Sequence, residues 1–122
     1  MSIVLNSKTY NYAGWNQNQQ ASYSETSGGI PASFSFLTAK VNVGTGKAAS
    51  SVKWNLSLPI VAESDTDCAC AGEVLRNYRF RIEVDIPAGS SSAERADILA
   101  RLQQLTAKTE FTSSITGLVQ PA

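Results

Sequence analysis

The side chains that could bind a metal ion form an acidic cluster in the middle of the chain. Carboxylate oxygens are the ligands that Ca²⁺ prefers, so a loop rich in them is a candidate Ca²⁺ site. The Asp-x-Asp spacing in this cluster lacks the glycine and the distant glutamate of an EF-hand loop. A solvated acidic loop is therefore the simpler interpretation. The acids lie within eleven residues and are Glu63, Asp65, Asp67 and Glu73.

The cations that could bind phosphate groups are distributed differently from the acids. Lys40, Lys53, Arg79 and Arg81 all fall within segments that we predict to be strands. The chain has ten basic and ten acidic residues and a formal net charge of zero, so no overall basic excess indicates a nucleic-acid partner. An electropositive surface can arise only by segregation of charge, which leaves room for a basic patch on the sheet.

The residue types needed for enzyme chemistry are scarce. The chain has no histidine, which removes the commonest general base and zinc ligand. Its two cysteines, Cys68 and Cys70, are separated by one residue, a spacing poorly suited to a strain-free disulfide between them. The composition argues against an enzyme, and we predict no catalytic residue, metal or cofactor.

Chain length and hydropathy predict one soluble domain. With 122 residues the chain can build one hydrophobic core but not two, so we assign residues 1–122 to a single domain. No apolar run approaches the roughly 20 residues of a membrane span. The start, MSIVLNSK, lacks the basic region and the length of a signal peptide. We therefore expect a protein that is made in the cytosol.

The strand that carries Arg79 and Arg81 has the clearest pattern in the chain. From Tyr78 to Ile86, apolar and polar residues alternate strictly, which is typical of an antiparallel strand with one buried face. Pro87 ends this strand. The apolar side is formed by Tyr78, Phe80, Ile82, Val84 and Ile86, and the polar side by Arg79, Arg81, Glu83 and Asp85.

A helix is predicted directly after this strand. Ser91 and Glu94 form the S-x-x-E pattern of a capping box, which satisfies free amides at a helix start. The apolar residues that follow recur at helical spacing, so the helix needs a second apolar surface, either the preceding strand or an identical neighbour. These residues are Ile98, Leu99, Leu102 and Leu105.

Other segments complete an architecture of strands followed by helices. The segments Ser33–Val43 and Ser51–Leu58 repeat the polar and apolar alternation and are joined by the turn Gly44-Thr45-Gly46. We expect Pro59 to disrupt strand pairing at the end of Ser51–Leu58. A loop from Val61 to about Gly72 precedes the strand at Tyr78. We predict strands at Ser2–Leu5, Lys8–Tyr12, Ala21–Ser24, Ser33–Val43 and Ser51–Leu58, and a second, shorter helix at Thr109–Val119.

This order of elements resembles the coat proteins of the single-stranded RNA bacteriophages, the levivirus-like family. The segment Pro59-Ile60-Val61-Ala62 is similar to the end of a family strand, and Asn77 to Pro87 is similar to the family's last strand. The resemblance implies an α+β fold with an N-terminal β-hairpin, an antiparallel sheet of about five strands and two C-terminal helices. It also implies an intertwined homodimer with a continuous sheet.

The resemblance further implies a structural capsid protein of the virion, made in the bacterial host cytoplasm. Dimers would build an icosahedral shell and bind genomic RNA on the inward polar face, including an RNA hairpin that acts as a translational operator. The family's aromatic stacking residue on the last strand corresponds to Arg79, whose guanidinium can also stack. The implied RNA-binding residues are Thr38, Lys40, Asn42, Ser51, Lys53, Asn55, Ser57, Arg79, Arg81 and Glu83.

The same resemblance gives a function to the cysteines. In the family, the matching loop surrounds the five-fold and quasi-six-fold openings of the shell. Cys68 of one subunit could therefore form an inter-subunit disulfide with Cys70 of the next. Free thiols remain the alternative.

Three alternatives to this interpretation remain open at the level of the sequence. Without the family resemblance, the polar side chains would be interpreted as the solvated side of a half-buried sheet. A non-viral, dimeric RNA-binding module would use the same basic sheet without forming a shell. Another phage structural protein, such as a tail-tube or decoration subunit, could share the order of strands and helices.

Overall fold

The computed structural model of the protein describes residues 2–29, 31–62 and 73–121. One antiparallel sheet contains six strands in chain order, and two helices follow it. The α+β class, the N-terminal hairpin and the two helices are thus confirmed, with the hairpin continuous with the sheet. The elements are β1 (Ser2–Leu5), β2 (Lys8–Trp15), β3 (Ala21–Glu25), β4 (Ser35–Asn42), β5 (Ser50–Val61), β6 (Val74–Ile86), α1 (Ser92–Thr106) and α2 (Thr109–Thr116).

The turns of the sheet follow from residues that tolerate unusual backbone angles or close approach. Asn6 and Ser7 have φ angles of 49° and 64°, the left-handed geometry that suits a two-residue hairpin between β1 and β2. Between β4 and β5, a Cβ atom at Gly44 would clash with the carbonyl oxygen of Ala48. The Gly44 amide donates to the hydroxyl of Ser50, 2.9 Å away, which fixes the start of β5.

The expectation that Pro59 disrupts strand pairing is wrong. Pro59 pairs with Asn77, and the β5–β6 ladder continues to Val61 opposite Val74, with an irregularity after Ile60. The reason is that β4 begins only at Ser35, so β5 has a strand neighbour on one side alone at this point. A proline is tolerated in a strand where no second neighbour needs its missing N–H.

The buried core lies under the first five strands. Tyr10, Tyr23 and Leu37 are its buried residues, with side chains from β1, β3 and β5 packed around them.

The Tyr10 hydroxyl and the Ser35 hydroxyl are 2.7 Å apart, and Ser35 donates to the carbonyl oxygen of Ser57 at 2.7 Å. Because the single proton of Ser35 is used in this way, Tyr10 must donate to Ser35. This hydrogen-bond chain joins β2, β4 and β5.

Helix α1 begins as the sequence predicts. The Ser91 hydroxyl accepts from the Glu94 amide at 3.2 Å, and the Glu94 carboxylate accepts from the Ser91 amide at 3.1 Å.

Helix α2 ends at Thr116, earlier than the predicted end at Val119. The amides of Gly117 and Val119 both donate to the Ser113 carbonyl oxygen, and Leu118 has a left-handed φ of 55°.

The apolar stripe of α1 is largely exposed. Ile98, Leu99 and Leu105 are about half exposed, and no residue of the helix is buried. Between α1 and the sheet lies an open groove of about 570 Å³. Its apolar lining comes from Val52, Ile82, Val84 and Ile86 on the sheet and from Ile98, Leu99, Leu102 and Leu105 on the helix.

Candidate nucleic-acid interface

Strands β4, β5 and β6 bring their polar side chains together on the side of the sheet opposite Leu37, Trp54 and Ile82. The period of two separates the two faces of each strand, and the pairing register sets which residues meet across strands. We call this surface the polar face. Its four cross-strand rows are Phe36–Ser57–Arg79, Thr38–Asn55–Arg81, Lys40–Lys53–Glu83 and Asn42–Ser51–Asp85.

All ten residues predicted from the sequence to bind RNA lie on the polar face, but they do not form one cavity. A shallow cavity of about 330 Å³ includes Thr38, Lys53, Asn55, Ser57, Arg79, Arg81 and Glu83 among its lining residues. Lys40, Asn42 and Ser51 lie outside this cavity, toward the turn between β4 and β5. The register therefore divides the predicted residues into a cavity group and a turn group.

The third row places two cations directly opposite each other. Lys40 pairs with Lys53, and Lys53 pairs on its other side with Glu83. The Lys53 ammonium lies 3.8 Å from the Glu83 carboxylate, and the Lys40 ammonium donates to the carbonyl oxygen of Asn18 at 3.3 Å. Like charges opposite each other in a sheet are destabilising, and an ion pair as exposed as Lys53–Glu83 offsets little of this cost. An anion above the row would be stabilising.

Within the described residues, Arg79 and Arg81 have no anionic partner. Over residues 2–29, 31–62 and 73–121, no carboxylate lies within ion-pairing distance of Arg79 or Arg81. Both are exposed and line the 330 Å³ cavity. Beside them, the Ser57 hydroxyl donates to the Asn77 side-chain oxygen at 3.4 Å. The guanidinium groups are therefore available for phosphate groups or bases.

The polar face is positively charged although the chain is neutral. It carries the cations Lys40, Lys53, Arg79 and Arg81 and the carboxylates Glu83 and Asp85. This excess of two positive charges occurs in a chain whose formal net charge is zero. The segregation that the sequence left open is therefore present, and with it hydroxyl and amide groups that can contact bases or 2′-hydroxyls.

Sequence reasoning missed one member of this face, Phe36. Its side chain is 44% exposed and lines the same cavity as the two arginines. The signal was present in the alternation, because counting back by two from Thr38 places position 36 on the polar face. An exposed aromatic ring among polar side chains could stack on a base.

Several predicted residues lie outside the described part of the chain. These are Cys68 and Cys70, together with Glu63, Asp65 and Asp67 of the acidic cluster. Within the three described ranges, no group of three or more His, Cys, Asp or Glu side chains is arranged to hold a metal ion. No helix in those ranges has the length and apolar character needed to cross a membrane.

A family model matches almost the whole chain. Residues 4–121 match the model described as levivirus coat protein. No curated protein sequence matches the chain significantly.

Solved structures with the same fold include virus-like particles and a phage capsid. The chain is similar to the virus-like particle protein of Beihai levi-like virus 21, with a TM-score of 0.83 and 16% identity over 99% of this chain and 96% of that one. The virus-like particle of bacteriophage NT-214 gives a TM-score of 0.82 and 14% identity over 100% and 95%. The bacteriophage GA capsid protein gives 0.76 and 14% over 96% and 93%. At these identities the similarity establishes the fold.

Proposed function

Because the chain belongs to the levivirus coat protein family, we propose that it forms homodimers, that these build an icosahedral shell, and that the polar face binds single-stranded genomic RNA within it. Membership of the family makes the protein a structural component of the virion, self-associating and not enzymatic. It also favours the capsid over a non-viral RNA-binding module or a tail-tube subunit. Synthesis in the cytoplasm of a bacterial host is part of the same proposal.

The homodimer is supported by an unpaired strand edge. Strand β6 is the last strand of the sheet, and its 13 residues have a partner on the β5 side alone in the described structure. A long free edge is an aggregation hazard unless another strand covers it. Two copies of β6 can pair antiparallel about a two-fold axis, which would make one continuous sheet from two subunits.

Exposed apolar surface near this edge also supports a second copy. Tyr78, Phe80 and Ile82 of β6 are 57%, 47% and 36% exposed, and they lie on the face that carries the groove under α1. Helix α1 of a second subunit has the same apolar stripe and could fill this groove. The equivalent groove of the second subunit would then accept α1 of the first. This exchange would bury the apolar residues of the helix and the sheet together.

The observation that carries the RNA-binding proposal is the pair Lys40 and Lys53, with Arg79 and Arg81 beside it. These cations lie close together on one face, and the carboxylates present do not neutralise them all. Phosphate groups would relieve the repulsion between the lysines and would provide partners for the guanidinium groups. We also assign to this face the RNA hairpin that would act as a translational operator, with its unpaired bases near the polar side chains.

The proposal is tested by expressing the chain alone, sizing the product and extracting its nucleic acid. We expect closed particles that contain nuclease-protected single-stranded RNA. A stable dimer as the only species at micromolar concentration in several salts would contradict the shell. Closed particles without RNA would contradict the function of the polar face and leave the capsid function intact.

A further inference from the structure

We propose that Phe36 is a stacking platform for one unpaired base of the bound RNA, with the adjacent phosphates held by Arg79 and Arg81. This inference rests on the proposed binding of RNA to the polar face. It adds a contact to a base of the RNA, beside the contacts to its charged backbone. It also predicts where on the face an unpaired base is held.

The surroundings of Phe36 are unusual for an aromatic residue of a sheet. In the four rows of the polar face, Phe36 is the one apolar side chain, and it is 44% exposed. Its cross-strand neighbours are Ser24 on β3 and Ser57 on β5, both small and polar. The ring is therefore outside the buried core, and its neighbours are too short to cover it.

The distance from Phe36 to a cation suits a nucleotide. Ser57 separates Phe36 from Arg79 in the same row, so the two backbones lie about 9.5 Å apart, twice the strand spacing. Both side chains and that of Arg81 line one cavity of about 330 Å³. A base lying on the ring could thus keep its phosphate within reach of a guanidinium group.

An RNA base explains this site better than a protein side chain does. The cavity has three cations, Lys53, Arg79 and Arg81, and one carboxylate, Glu83, among its lining residues. The cores of protein interfaces are depleted of charge, whereas sites for single-stranded nucleic acid combine cations with exposed aromatic rings. Phe36 would supply the aromatic ring of this site, two strands away from Arg79.

The test compares Phe36→Leu with Phe36→Trp in the full-length protein freed of RNA. Leucine keeps an apolar side chain but has no aromatic ring, whereas tryptophan preserves the ring. We measure affinity for a short single-stranded RNA and for the same backbone with abasic positions. Trp15→Leu is the matched control, because Trp15 is a 72% exposed aromatic residue that pairs with Ala21, away from the polar face.

Stacking predicts a selective loss. Phe36→Leu should bind the normal RNA roughly fivefold or more weakly, while Phe36→Trp and the control keep wild-type affinity. The abasic RNA should bind Phe36→Leu and wild type equally. The dependence of affinity on salt should not change in Phe36→Leu, since every phosphate-binding cation is retained. Ultraviolet crosslinking of the wild-type protein to RNA should attach a nucleotide to Phe36, a result that requires no substitution.

Other outcomes would overturn the inference separately from the proposed function. Stacking would be excluded if Phe36→Leu bound normal RNA as tightly as wild type does. It would also be excluded if the substitution weakened binding to abasic RNA as much as binding to normal RNA. In either case the proposed RNA binding would still stand. Altered particle assembly at unchanged RNA affinity would make Phe36 a protein contact instead. If wild-type protein does not bind RNA, or binds it without salt dependence, the proposed RNA-binding function of the polar face fails.

Discussion

Lys40 and Lys53 lie directly opposite each other on β4 and β5, although an oppositely charged or neutral pair would stabilise the sheet better. Their side chains have different partners. The Lys40 ammonium reaches the carbonyl oxygen of Asn18, whereas that of Lys53 lies near Glu83. This arrangement sacrifices a small amount of stability and keeps two cations on one surface, as expected of a site that binds an anion.

Removing one lysine of this pair should affect RNA binding more than stability. In RNA-free protein, Lys40→Gln should leave the free energy of unfolding unchanged or raise it by up to about 0.5 kcal/mol, because the repulsion from Lys53 disappears. RNA content per particle, measured by ultraviolet absorbance, should fall. Lys47→Gln is the control, since Lys47 is exposed in the turn after β4. A marked loss of stability would show that the contact of Lys40 with Asn18 is its main function.

The double variant Lys53→Ala with Arg81→Ala tests the phosphate contacts. Both side chains line the cavity and neither is buried, so the fold should persist. The log-log slope of affinity against salt should decrease by roughly 1.4, about 0.7 for each phosphate that is no longer neutralised. Binding titrations at several salt concentrations measure this slope. Lys47→Ala with Lys108→Ala removes the same charge elsewhere on the surface, and an equal effect there would contradict the assignment of the face.

The hydrogen-bond chain under the sheet gives a prediction about stability. Ser35 is fully buried, and Ser35→Ala would leave the buried Tyr10 hydroxyl without its partner. The free energy of unfolding should fall by about 1–3 kcal/mol. Adding Tyr10→Phe should recover part of this loss, because the unsatisfied hydroxyl is removed. Urea denaturation at one fixed protein concentration makes the comparison, and a further loss of stability in the double variant would contradict the hydrogen-bond explanation.

The cysteine prediction concerns links between subunits in the shell. If Cys68 of one subunit bonds Cys70 of the next when oxygen oxidises the two thiols, each subunit is linked to two neighbours. Non-reducing electrophoresis of particles should then show bands up to five and six subunits that collapse with reductant. Cys68→Ser should limit the product to dimers. Monomer bands alone from oxidised wild-type particles would mean that Cys68 and Cys70 remain free thiols.

Patterns within single elements were predictable from the sequence because they depend on local geometry. The period of two along β6 determines that Arg79, Arg81 and Glu83 share a face, whatever the strand pairs with. The capping box at Ser91 likewise depends on residues three positions apart. Pro59 shows where such reasoning fails, because whether a proline is tolerated depends on where the neighbouring strand begins, not on the strand that contains it.

Relationships between elements were decided by the tertiary structure. Residues more than ten positions apart in the chain, such as Lys40 and Lys53, become neighbours only when the turn at Gly44 sets the register of β4 against β5. The same register places Phe36 in line with Arg79 and makes an aromatic residue part of a cationic cavity. The sequence alone determined which side chains share a face, since alternation is a property of each strand. Only the pairing of strands decided which of them meet, since a shift of register would exchange every neighbour.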